Sequence, residues 1–286
     1  MKPEAAAQPP QPFFLDGGAD ARFCLYHPPA GPGCRGAIVY LHPFAEEMNK
    51  SRRMASLQAA ALAADGYAVL AIDLHGCGDS AGDFGDATWD SWLADVARAS
   101  RWLQQHLGER LNDAPAIWGL RLGALLALDY ARRAAVAPAF LLLWQPVTSG
   151  ATFLTQFLRL AVASQMLTAD GTGGGTAALR TRLAEGYALE IAGYLLNPAL
   201  AASIDTQDAA LAPPCPVHWL EMVADADRPL PPAAARVVTR WREGGTHVAA
   251  HSVAGPQFWA TQEIATCPAL LDQTRHALLP LHHAAG

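Results

Sequence analysis

Cysteine is scarce and unpatterned in this chain. Five occur in 286 residues, Cys24, Cys34, Cys77, Cys215 and Cys267, an odd number at long spacings with no Cys-x-x-Cys. That excludes a disulfide framework or zinc knuckle and fits buried thiols in a reducing, cytoplasmic setting. No apolar run reaches the roughly 18 residues that a membrane span needs, so membrane insertion is not expected. The opening Met1-Lys2-Pro3-Glu4 and the AAAQPPQP that follows hold no apolar stretch of the secretory kind, and residues 1–12 read as a disordered lead. Positive charge is short too: 20 Lys and Arg face 26 Asp and Glu, a net charge of −6. With no basic stripe, nucleic acid is not an expected partner. The run Gly173-Gly174-Gly175 lacks the Lys-Ser/Thr of a phosphate-binding loop. His247 and His251 share a strand face without a third ligand, and His282 and His283 fall in the tail. No metal and no cofactor is expected.

What is present is a 51% hydrophobic chain, enough for one sizeable core. Residues 13–286 are expected to form a single domain in which strands alternate with helices, the pattern of a mostly parallel sheet flanked by helices. Strands are expected over 21–26, 37–41, 67–72, 115–118, 139–144, 216–220 and 246–253. Helices are expected over 51–65, 88–107, 122–133, 151–167 and 233–242, with a last one hinted at 259–265. Residues 150–204 break the rhythm and read as a small, largely helical cap insertion, with a flexible loop at TADGTGGGTAA.

The chemistry centres on Trp118-Gly119-Leu120-Arg121-Leu122-Gly123. Gly-x-Ser-x-Gly between a strand and a helix is the nucleophile elbow of α/β hydrolases. Here both glycines are present and arginine stands at the serine position. Its place after an expected strand, with YLHPF and DLHGCGDS upstream in the right order, points to the α/β-hydrolase fold. The backbone N–H of Leu122, with that of Phe44, would form the oxyanion hole. A guanidinium is no nucleophile. Gln257 falls where the triad histidine is expected, and it cannot take a proton near neutral pH. The acid region holds Glu221, Asp225 and Asp227, of which Asp225 is the candidate acid. His42 is either a polar group of the pocket or a core histidine bonded to its turn. Asp73 and Ser80 frame a structural glycine-rich turn.

Arg121 at a helix N-terminus has two readings. Its five donors and the helix dipole suit a carboxylate, phosphate or sulfate. Alternatively it pairs inward with Glu46 or Glu47 of the loop above it and plugs the pocket. The ligand-binding set is then Phe44, Glu46, Glu47, Arg121 and Leu122.

The blocks YLHPFAEEMNKSRRMA, IDLHGCGDSAGDF, WGLRLGALLAL, LLLWQPVTSG, QFLRLA, EIAGYLL and FWATQEI together resemble the family called exosortase A system-associated hydrolase 2, over about residues 22–275. The resemblance implies an α/β-hydrolase fold and an association with an exosortase/PEP-CTERM sorting system and exopolysaccharide biosynthesis. Against general α/β hydrolases the chain departs at Arg121 and Gln257. Three functions compete: a protein that binds an anionic or acyl-bearing small molecule; an active non-serine hydrolase or acyltransferase on esters or glycan acyl groups, using a water activated by a carboxylate or His42; and a non-catalytic partner-binding protein. Self-association into a homo-oligomer stays open.

Overall fold

A computed structural model describes residues 8–167, 174–225 and 227–279; most of the expected 168–178 loop and the tail histidines lie outside them. One eight-stranded sheet runs in the order β1-β2-β4-β3-β5-β6-β9-β10. Its strands are β1 (Gln11–Leu15), β2 (Arg22–His27), β3 (Gly36–Leu41), β4 (Tyr67–Ile72), β5 (Ala116–Leu120), β6 (Leu141–Trp144), β9 (Val217–Val223) and β10 (Val248–Ala254). β1 and β2 are antiparallel to their neighbours, and every pairing from β4 to β10 is parallel. The central strands read as near-continuous apolar runs because both faces are covered. On one face lie α1 (Glu46–Ala64) and α8 (Pro268–Leu278), packed through Met54, Leu62, Trp118, Trp144 and Leu270. On the other lie α2 (Trp89–Leu107), α3 (Leu122–Arg133) and α7 (Pro232–Glu243), packed through Trp89, Val96, Leu125, Leu143 and Trp241.

Between β6 and β9 the chain leaves the sheet. It forms α4 (Gly150–Leu167), α5 (Gly175–Ala184), a hairpin of β7 (Leu189–Ile191) and β8 (Tyr194–Leu196), and α6 (Pro198–Thr206). This is the insertion read from the sequence. Asn197 ties it to the core, its Nδ2 donating to the carbonyls of Gly85 and Ala87 at 2.9 and 2.6 Å, while its Oδ1 caps α6 at Leu200.

Three expectations are corrected. Gln11–Leu15 pairs with β2 as the end strand, so Gln11 and Pro12 of the expected lead belong to the sheet; Pro12 is tolerated because an edge strand has a free side. α1 starts at Glu46 rather than residue 51, because Ala45 takes φ +51° and turns the chain straight into the helix. Residues 259–265 form turns, bends and irregular chain, and the last helix begins at Pro268, whose fixed φ suits the first helical position. Among the described residues no helix is long and apolar enough to cross a membrane, and the five cysteines are free.

The histidines of β9 and β10 have a measurable consequence. His218 is buried with both ring nitrogens unpartnered, and burial, then His247 and His251, push its pKa from 6.5 to about 4. The unfolded chain therefore binds a proton that the folded chain refuses. Stability should fall as pH drops from about 6.5 towards 4, by about 3 kcal/mol in the limit. Urea unfolding of wild type and His218→Phe at pH 7 and pH 4.5 checks this: the variant should lose distinctly less stability, and equal losses would refute it.

Candidate functional site at the elbow

Gly119 is the penultimate residue of β5 and Gly123 the second residue of α3, and neither has room for a side chain. A Cβ on Gly119 would lie 2.5 Å from the Ala124 Cα, and one on Gly123 2.5 and 2.6 Å from the Leu41 and His42 carbonyl oxygens. Strand and helix thus approach so closely that the residue between them must turn within one position. Arg121 does so at φ +56°, ψ −117°, a region costing of order 1–3 kcal/mol for a residue with a side chain. Its backbone is pinned: its N–H donates to the Trp144 carbonyl at 3.0 Å, and its own carbonyl accepts from Ala124 and Val147. This is the elbow expected from the sequence, with arginine at its apex. The Leu122 N–H behind it belongs to the first helical residue and has no intrahelical acceptor.

The guanidinium is not free. Its Nε and Nη2 donate to the Glu47 carboxylate at 3.3 and 3.1 Å. Both side chains are mostly shielded, 18% and 23% exposed. Trp259 and Phe153 complete the enclosure, their ring centres 5.4 and 5.9 Å from the guanidinium carbon, distances at which a cation is attracted to a ring face. Burial pushes the Glu47 carboxyl up despite the pull of Arg121. Glu47 sits in the first turn of α1, where the helix dipole favours its charge. Of the two glutamates expected above Arg121, then, Glu47 is the partner. Glu46 is exposed and instead accepts from the cap's Tyr194 hydroxyl and from Asn49, both at 3.4 Å.

A second carboxylate lies within electrostatic reach. Glu221 on β9 is buried, and burial raises its pKa while Trp219, Arg121 and Gln145 lower it. It accepts from the Trp219 indole at 2.7 Å and from Gln145 Nε2 at 2.9 Å, and Gln145 Oε1 accepts from the Met222 N–H at 2.6 Å. Gln145 holds this position with φ +42°.

The other expected residues are placed as follows. His42 is buried with both nitrogens engaged, Nδ1 on the Pro43 carbonyl at 2.8 Å and Nε2 accepting from the Leu74 N–H at 3.3 Å. That fixes the neutral Nδ1–H tautomer and gives the turn-bonded alternative. Asp225 is exposed and pairs with Arg228 at 3.6 Å. Gln257 is exposed, and Trp259, two residues on, is the side chain of that loop that meets Arg121. Phe44 is buried among Phe84, Trp92, Phe153 and Phe157, and beside it and Leu122 is a void of only about 10 Å³, no larger than one water. The Asp73–Ser80 turn is structural: Ser80 Oγ donates to the Asp73 carbonyl and accepts from the Phe23 N–H. Glu47, Arg121, Phe153 and Trp259 are brought together. Phe153 and Trp259 gave no signal in the sequence, because an aromatic residue in a cap or loop reads as ordinary core.

Residues 33–225, more than half of the chain, match the sequence profile described as serine aminopeptidase, S33, and the chain belongs to that family. No curated protein matches it. Among solved structures it is similar to Est1E from Butyrivibrio proteoclasticus with ferulic acid bound, with 15% identity, TM-score 0.69 and coverage of 93% of this chain and 98% of that one. Esterase 2 of Thermogutta terrifontis, phosphoramylated by tabun, matches with 15% identity, TM-score 0.59 and all of both chains. An alpha-beta serine hydrolase homologue from Coxiella burnetii matches with 13% identity, TM-score 0.54 and coverage of 96% and 99%. At these identities the likeness is one of fold, the α/β-hydrolase fold.

Two outcomes follow from this geometry. Gly123→Ala must push Cβ against two carbonyl oxygens and should cost about 3 kcal/mol in urea unfolding; a cost under about 0.5 kcal/mol, that of an ordinary surface substitution, would contradict the close approach. A double-mutant cycle with Arg121→Met and Glu47→Met should give a coupling of about 1–3 kcal/mol, since each single change strands the other charge. Additive costs would mean that the pair does not form in solution.

Proposed function

We propose that this chain keeps the α/β-hydrolase elbow without serine-type hydrolysis, and that Arg121 at its apex binds an anionic or acyl-bearing small molecule once Glu47 gives way. One observation carries the reading: a guanidinium fork at a helix N-terminus already holds a carboxylate, that of Glu47, at hydrogen-bonding distance. A ligand carboxylate or phosphate takes the place of the Glu47 carboxylate, and Glu47 turns outward or takes up a proton. Phe153 and Trp259 then flank the ligand's acyl or aryl part. The Leu122 N–H and the turn at Phe44 complete the anion site.

The absence of hydrolysis rests on the three roles of a triad. Arg121 cannot attack, Gln257 stands outside, and Asp225 is engaged at the surface. The resemblance to the exosortase-associated family supports a place beside protein sorting and exopolysaccharide synthesis, in the cytoplasm. The ligand is then an anionic or acyl intermediate of that system. One observation favours a second reading. Glu47 is a carboxylate with a raised pKa beside a cation, the setting of a general base that activates water while Arg121 stabilises the developing oxyanion. His42 does not serve as that base, because its acceptor nitrogen is taken by Leu74.

Calorimetry with ferulate, run beside hydrolysis of short- and medium-chain p-nitrophenyl esters, tests both. The ferulate probe follows from the aryl carboxylate held by the Est1E neighbour. The first reading expects no ester turnover and saturable ferulate binding. Arg121→Ala should abolish binding, and Glu47→Gln should tighten it about tenfold by removing the competing charge, worth about 1.4 kcal/mol. Binding indifferent to both substitutions would end it. Turnover lost in both Arg121→Ala and Glu47→Gln would establish the second reading instead.

A further inference from the structure

We propose that the cleft between α1 and β2 is a second binding site, for an uncharged, ring-sized molecule bearing one or two hydroxyl groups. A cavity of about 220 Å³ lies there, on the sheet face that α1 covers only in part. Its walls are mainly apolar: Phe23 and Leu25 of β2, Ala71 of β4, and Met48, Ala55 and Ala59 of α1. The volume lies below the roughly 300–1,000 Å³ of drug-sized pockets, which limits the occupant to one ring or a short chain.

Two polar groups make this more than a packing gap. His27 and Tyr40 both line the cavity, at 3% and 5% exposure. His27 Nε2 has no hydrogen-bond partner. The Tyr40 hydroxyl makes no hydrogen bond among the described residues; its ring packs on Trp118 at 4.3 Å. Buried polar groups are almost always paired, so an orphaned His27 nitrogen facing a cavity, with the Tyr40 ring on the same wall, points to something that pairs it. By register, Tyr40 pairs with Ala71, which pairs in turn with Leu25, and His27 pairs with Val69. The two residues are therefore on the same face, two strands and two positions apart, roughly 12 Å between Cα atoms. One ring with a hydroxyl can lie between their side chains.

The charge pattern selects a neutral occupant. Burial pushes the His27 pKa down and the Tyr40 pKa up, so both are neutral near pH 7. At the mouth Arg52 and Asp73 cancel each other, paired at 3.0 Å, and Asp73 is further held by the Asp79 N–H. His42 at the back has both nitrogens occupied. No charge is left for a charged ligand to neutralise. This site does not depend on the reading of Arg121, although His42 and Met48 bring its inner wall next to the elbow.

The test is an NMR titration of the full chain, labelled at methionine and alanine methyls and histidine ring nitrogens. The probes are p-cresol and cyclohexanol, with benzoate and benzylammonium as charged counterparts. p-Cresol should shift the Met48 methyl and the His27 ring saturably and give NOEs from its ring protons to the Met48 and Ala59 methyls. Arg121→Ala should leave this affinity unchanged, and Ala71→Leu, which fills the floor of the cavity, should weaken it at least tenfold. The wild-type NOEs decide the matter even if Ala71→Leu folds poorly. Absence of saturable shifts, NOEs to other residues, or benzoate binding as tightly as p-cresol would overturn the proposal.

Discussion

The contact on which the site depends is the near-collision of α3 with β3 and β5. Gly119 and Gly123 remove the two Cβ atoms that would hold them apart. Everything at the elbow follows from that approach. The chain must reverse at Arg121, so Arg121 takes a positive φ, and its side chain is carried to the sheet end where α1, the cap and the loop after β10 meet. The strain at Arg121 is offset by the packing of Leu122, Leu125 and Leu126 beneath it, each almost wholly buried. The elbow thus persists for reasons of packing whether or not its apex residue can attack a substrate.

A cation held at that apex sets the electrostatics of its surroundings. A partly buried guanidinium requires carboxylates, and two lie within reach, Glu47 and Glu221. Glu47 is available because α1 begins at Glu46, which places the first turn of that helix over the elbow. Had α1 begun at residue 51, as the pattern SRRMASLQAAALAAD suggests, Glu47 would lie on a loop without the dipole that favours its charge. A few residues of helix boundary thus decide which glutamate meets the arginine.

The sequence shows most of this fold because its central strands are continuous apolar runs punctuated by Gly and Pro, and such runs survive without an alignment. Gly119 and Gly123 are legible for the same reason: only glycine fits, and the spacing repeats the elbow. β1 escapes notice because an edge strand carries a proline and exposed side chains, the composition of a loop. Trp259 escapes because its role depends on how the turns after β10 fold back, through Phe258 N–H to Pro256 and Ala260 N–H to Gln257, and not on any period. Gln257 looks like the base position by counting from the strand end, and those turns carry it to the surface instead.

The two carboxylates near Arg121 differ in what holds them, and this bears on which can yield to a ligand. Glu221 accepts from Trp219 and Gln145, and Gln145 is itself tied to the Met222 backbone in a strained conformation. Moving Glu221 would break a largely buried hydrogen-bond network. Among the described residues Arg121 is the single side chain that donates to Glu47, and the Glu47 side chain is 23% exposed. Its raised pKa means that losing the arginine to a competing anion is partly compensated by proton uptake. Glu47 is the exchangeable carboxylate and Glu221 the permanent one. In the exchange proposed above, Glu221 stays within electrostatic reach of Arg121 when Glu47 leaves, so the guanidinium is not stripped of every counter-charge.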